Sequence, residues 1–152
     1  MRSTKVSQKG INLIKYFEDF RSAPYRCSAG IPTIGYGTTF YPNGQRVTMS
    51  DPPINEEWAE QLLLKNLIYF EASVDSYTRD DINQNQFDAL VSFTYNVGVN
   101  NFRYSTLLKR VNNNPNDPDI TRQFSRWIRA EGKVLKGLVK RRTMEAQLYF
   151  SG

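Results

Sequence analysis

Glu18, Cys27 and Thr33 are the side chains whose types and spacing suggest chemistry: nine residues separate the first two and six more reach the third. Glu18 closes a run in which Ile11, Ile14 and Phe17 recur at helical spacing, so it is expected at a helix C-terminus. The negative end of the helix dipole disfavours a carboxylate there and tends to raise its pKa, which suits a general acid at neutral pH. Cys27 and Thr33 stand symmetrically about Gly30. With Gly30 at the centre of a hairpin loop they lie opposite each other on one face of a sheet, and a thiol beside a hydroxyl can hold a water. Each residue also has a plain structural reading. Glu18 can be a solvated helix-end carboxylate, Cys27 a small buried residue, and Thr33 a strand former. Spacing alone leaves both readings open.

The chain contains no histidine and one cysteine. Ser-His-Asp and Cys-His hydrolytic arrangements are therefore excluded, as are His-based and thiolate zinc sites and an internal disulfide. No cofactor and no metal are expected. A hydrolase built from carboxylates, hydroxyls, one thiol and Lys/Arg relies on acid-assisted chemistry, of which glycoside cleavage is the commonest kind. The formal net charge of +5 suits either plain solubility or attraction to a polyanion.

The elements that must position these groups are legible in outline. A first helix is expected over about 7–18, with Ser7 as N-cap. Residues 24–49 are rich in Thr, Ile, Tyr, Val and Gly, and Tyr41-Pro-Asn-Gly44 forms a turn, so two or three short antiparallel strands are expected. Asn55 caps a helix to about Tyr77 that lacks Gly and Pro. Further helices are expected over 83–97, 102–112, 119–130 and 138–149. Arg122, Arg126 and Arg129 fall on one stripe of the 119–130 helix, opposite Phe124, Trp127 and Ile128. The fold class is α+β. The N-terminal sheet-bearing lobe is expected to span about 12–54, the linking helix about 55–77 and the helical C-terminal lobe about 78–152, with the first helix, about 7–18, packing on the C-terminal lobe. No apolar run, Leu62 to Leu64 included, is long enough to cross a bilayer, and Met1 to Gly10 has basic residues but no apolar segment after them.

The run from Glu18 to Gly37 resembles the phage-type lysozymes of glycoside hydrolase family 24. Their pattern is a Glu, an Asp or Cys nine residues on, and a Thr six beyond, inside a Thr-Ile-Gly-Tyr-Gly-like strand. Glu18, Cys27 and Thr33-Ile-Gly-Tyr-Gly37 match it, as do Arg21 and Tyr25 between them. Asn85 to Gly98, Ser105 to Lys109, and Gly137 to Arg142 followed by Glu145 are similar to the family's central helix, next helix and C-terminal signature.

The resemblance implies a lysozyme-like fold of two lobes joined by a long helix, with the cleft between them. It implies hydrolysis of the β-1,4 bond between N-acetylmuramic acid and N-acetylglucosamine in bacterial peptidoglycan, with Glu18 protonating the glycosidic oxygen. Better-known members carry Asp at the position of Cys27. A neutral thiol there gives little charge stabilisation, so Cys27 and Thr33 are expected to position the attacking water, giving inversion. Nucleophilic attack by Cys27, giving retention, is the competing route. Substrate contacts fall to Asn96, Tyr36 and Arg142. Asn96 has a helix-terminating alternative, and Arg142 is also expected to pair with Glu18. The partner is peptidoglycan, with no nucleic acid and no integral membrane segment, though the basic helices suit electrostatic contact with an anionic envelope. A monomer is expected, accumulating in the host cytoplasm and reaching the wall after another protein permeabilises the membrane. The alternatives are a lytic transglycosylase, a wall-binding protein without catalysis, and a nucleic-acid binder, the last without any recognisable motif.

Overall fold

The computed structural model describes residues 4–152, so Met1 to Ser3 of the basic N-terminal run lie outside the described residues. The chain divides into two compact units, Ile14–Tyr69 on the one hand, and Met1–Leu13 with Phe70–Gly152 on the other. Both α1 (Gln8–Glu18) and α2 (Glu56–Tyr77) are continuous helices whose residues are shared between the units. The α2 helix is 22 residues long, roughly 33 Å at about 1.5 Å per residue. It begins where expected, because Asn55 Oδ1 accepts the Trp58 N–H at 2.8 Å and caps it.

The unit from Ile14 to Tyr69 holds an antiparallel hairpin of β1 (Arg21–Arg26) and β2 (Pro32–Gly35). Isolated bridges join Ile34 to Thr38 and Phe40 to Arg46, in place of a third strand. The register shifts between Arg21 and Tyr25, which kinks the first strand near its start. Ile14, Ile34, Val47, Ala59, Leu62, Leu63 and Leu67 form the core. Gly35 has φ +67°, and a Cβ there would lie 3.1 Å from the Ala59 Cβ, so the strand approaches α2 as closely as glycine allows. Beyond the sheet, the Asp51 carboxylate ties the loop together. It accepts the Tyr41 hydroxyl at 2.6 Å, the Thr48 hydroxyl at 2.6 Å and the Thr48 N–H at 2.9 Å.

The other unit is helical. It contains α3 (Gln84–Val97), α4 (Val99–Arg103), α5 (Thr106–Asn113), α6 (Asp119–Ser125) and α7 (Lys136–Tyr149). Helix α3 is buried from Gln86 to Thr94, and the Phe93 ring meets Phe102, Phe124 and Trp127 edge to face at 6.3, 5.6 and 5.6 Å. Asn83 and Gln86 form a capping box at its start.

Three expectations need correction. The helix expected over 102–112 is two helices, because Ser105 accepts the Leu108 N–H at 3.1 Å and starts a new one. The helix expected over 119–130 stops at Ser125 and gives way to a hairpin of β3 (Arg129–Ala130) and β4 (Lys133–Val134). Glu131 and Gly132, at φ +52° and +78°, supply the two positive-φ residues of a tight hairpin turn. Arg122, Arg126 and Arg129 therefore do not share a helical stripe. Finally, the Ser7 carbonyl accepts the first α1 bond, but its hydroxyl donates to Asp88 and so is engaged away from the helix end.

Candidate active site

Glu18 is the last residue of α1. The next residue, Asp19, takes φ +57°, and its N–H donates to the Lys15 carbonyl at 3.0 Å. That is an αL helix stop built on aspartate instead of glycine. It turns the chain sharply into β1, so the half-buried Glu18 carboxyl sits at the joint between helix and hairpin. Tyr25, in β1, lies within the fields of both Glu18 and Cys27. Burial first, then the Glu18 charge, hold its hydroxyl above the ordinary tyrosine value. The Arg21 guanidinium packs over the Tyr25 ring at 4.1 Å.

The hairpin register pairs Tyr25 with Thr33 and Arg26 with Pro32, and the Cys27 N–H donates to the Ile31 carbonyl at 3.0 Å. The turn is thus centred on Ala29, not Gly30. Thr33 stands opposite Tyr25, and Cys27 and Thr33 are diagonal neighbours rather than a facing pair. They remain in contact, with the buried Thr33 hydroxyl donating to the Ile31 carbonyl at 2.8 Å and lying within hydrogen-bonding reach of the thiol. The Ile31 and Ala29 amides, followed by the Thr33 hydroxyl, hold the Cys27 thiol below its ordinary value. Arg26 does not supply that effect, since its guanidinium donates to the Gly30 carbonyl at 3.0 Å across its own turn.

Tyr36 is only 4 % exposed. Its ring leans on Phe20 at 5.8 Å, and the Lys15 ammonium lies 5.4 Å from its centre. Lys15 is itself held by Glu60 at 2.9 Å.

The helical unit brings Asn96 and Arg142 together: the Arg142 guanidinium donates to Asn96 Oδ1. Asn96 is exposed near the end of α3 and does not terminate it. Gly98 does so at φ +97°, with its N–H on the Thr94 carbonyl. Arg142 is 1 % exposed, stacks on the Phe93 ring at 5.0 Å and forms an ion pair with Glu145 at 3.3 Å. Burial draws its pKa down to about 10, which leaves it charged at neutral pH. Glu145 also accepts the Ser92 hydroxyl at 2.5 Å and Arg141 Nε at 3.2 Å. Sequence reasoning did not anticipate this buried charge cluster as the support for Asn96. It also missed a cavity of about 280 Å³ in this unit, lined by Tyr104, Ser105, Thr106, Gln123, Arg126 and Trp127. Neither had a signal beyond a Ser before a helix and the Arg-Arg pair.

The sequence profile described as Phage lysozyme matches residues 15–145. The endolysin of Bacillus phage B103 is 42% identical over 147 residues, covering 97% of this chain and 54% of that protein, so the chain spans a little over half of that relative. The endolysin of Salmonella phage P22 is 37% identical over 147 residues, 97% of this chain and 99% of that one. Among solved structures, an endolysin from Escherichia coli O157:H7 phage FAHEc1 superposes with a TM-score of 0.87 at 40% identity, covering 97% of this chain and 94% of that one. With the profile spanning most of the residues and the fold shared throughout, the chain belongs to the phage lysozyme family.

Proposed function

We propose that this protein is a muramidase that hydrolyses the β-1,4 bond between N-acetylmuramic acid and N-acetylglucosamine in peptidoglycan, for host lysis. The observation that carries this reading is the convergence of Glu18, Tyr25, Cys27 and Thr33 at one helix–hairpin joint in a chain that offers no imidazole. Glu18 protonates the glycosidic oxygen as the bond to the anomeric carbon breaks. Positioned proton transfer of this kind is typically worth about 10²–10⁴-fold. A water held by Cys27 and Thr33 adds to that carbon from the opposite face and releases its proton to solvent, giving inversion. Asn96, oriented by Arg142, hydrogen-bonds sugar groups. With so little of its ring exposed, Tyr36 acts by steadying the floor of the sheet rather than by offering a broad sugar platform.

A second reading has one observation in its favour, the lowered pKa of Cys27, which enriches the thiolate. A thiolate nucleophile would form a glycosyl–sulfur bond, and water would then release a product of retained configuration. The configuration of the first-formed reducing end distinguishes the two: inversion is expected. Muropeptide mass also separates hydrolysis, which adds one water, from transglycosylation, which does not.

The proposal includes a physiological setting: a monomer that accumulates in the host cytoplasm and meets the wall once another protein has opened the membrane. Among the described residues no helix is long and apolar enough to cross a membrane. Fractionation of infected cells and sedimentation of the pure protein check these two points.

A further inference from the structure

The β3–β4 hairpin and the first turn of α7 present a surface that the reaction does not use. Val134, Leu135 and Val139 are 53%, 43% and 40% exposed. They lie close along the chain: Leu135 donates its N–H to the Ile128 carbonyl at the base of the hairpin, and Val139 follows Leu135 by one helical turn. Arg129, Lys133 and Lys136 belong to the same segment and are exposed, and no ion pair joins them to a carboxylate among the described residues. Arg129 and Lys133 come from the two strands of the hairpin, Arg129 opposite Val134 and Lys133 opposite Ala130. Glu131, in the turn, is the single acidic residue between Ser125 and Lys140.

Unpaired cations beside exposed branched aliphatic side chains form an amphipathic edge. The cations alone would suit any polyanion. The three aliphatic side chains gain only where apolar matter is available to cover them, and a hydrated glycan or polyphosphate offers none. An anionic bilayer surface satisfies both, since its headgroups complement the cations and its acyl boundary takes the aliphatic groups.

We propose that residues 129–139 dock the protein on an anionic phospholipid surface, with Val134, Leu135 and Val139 entering the headgroup region and Arg129, Lys133 and Lys136 facing the lipid phosphates. The tight turn at Glu131–Gly132 holds the two strands together, so the surface is largely pre-formed.

The experiment is co-sedimentation of the full chain with vesicles of equal parts phosphatidylglycerol and phosphatidylcholine, and with phosphatidylcholine alone. Binding is expected on the mixed vesicles only, weakening as salt is added. K133E/K136E and V134S/L135S are each expected to weaken it about fivefold or more, at roughly one charge or one aliphatic group per factor of a few. Both pairs are exposed, so thermal unfolding and hydrolysis of membrane-free wall fragments should match wild type. Failure to bind mixed vesicles at low salt overturns the proposal. So does binding that V134S/L135S leaves untouched, which would mark a purely ionic contact. Loss of retention on purified, lipid-free sacculi in both variants, with vesicle binding intact, would assign the surface to the wall instead.

Discussion

A thiol in the second position changes what that position can contribute. A carboxylate there would carry a full negative charge beside the developing positive sugar, whereas Cys27 carries only the fraction of thiolate that the Ile31 and Ala29 amides stabilise. If Cys27 orients water through a hydrogen bond, a serine can replace it. Cys27→Ser is then expected to keep hydrolysis within about 10-fold of wild type, and Cys27→Ala to lose more, because only the alanine removes the partner of the water. Rates on purified wall with soluble muropeptides as the readout decide this. A serine variant as inactive as the alanine variant would favour the nucleophilic route. Asp19 matters at the same scale. Its positive φ ends α1 one residue after Glu18, so the acid's placement depends on a backbone conformation that most side chains resist.

At the scale of elements, the sequence was most informative where a local rule met no competitor. Asn55 before two glutamates marked the start of α2, and the long run without Gly or Pro marked its extent. Asn83 and Gln86 capped α3 within one residue of the expected start. The misses have physical reasons. Symmetry about Gly30 suggested the hairpin centre, yet positive φ at Gly30 is equally served by the last residue of a turn centred on Ala29. Phe124, Trp127 and Ile128 read as a continuing helical face, but the chain leaves the helix at Ser125 and Trp127 reaches the Phe93 cluster from the loop. Periodicity cannot distinguish these cases, because tertiary packing sets where the helix stops. The pairing of Asn96 with Arg142 joins residues 46 positions apart and left no trace in either segment. Between α3 and α4, Gly98 sits at φ +97°, ψ 154°, a conformation essentially restricted to glycine. A Cβ there would meet nothing within 4 Å, so the cost of Gly98→Ala is purely that of the backbone. It is expected to destabilise by about 1–3 kcal/mol, measured by denaturant unfolding. An unchanged midpoint would mean that the turn relaxes freely.

For the whole molecule, the buried carboxylates couple stability to pH. Glu71 is 9% exposed and accepts the Val6 N–H at 2.6 Å. Burial is the main cause of its raised pKa, opposed by the Val6 N–H and Lys5 and reinforced by Asp88. The folded chain therefore holds this proton more tightly than the unfolded chain. The group favours the native state most fully below the ordinary carboxylate value and loses that advantage as pH rises through its raised folded value. Glu71→Gln resembles the protonated form, so its Tm is expected to exceed that of wild type increasingly as pH rises from about 4 to 7. A gap that closes over that range would contradict the assignment.

The central claim is that Glu18 delivers the proton that breaks the glycan. Its most direct measurement is the initial rate of wall hydrolysis by Glu18→Gln, with unfolding recorded on the same preparation. The account predicts a fall of at least about 10²-fold with the transition unmoved. A correctly folded amide variant that digests wall at the wild-type rate would contradict it.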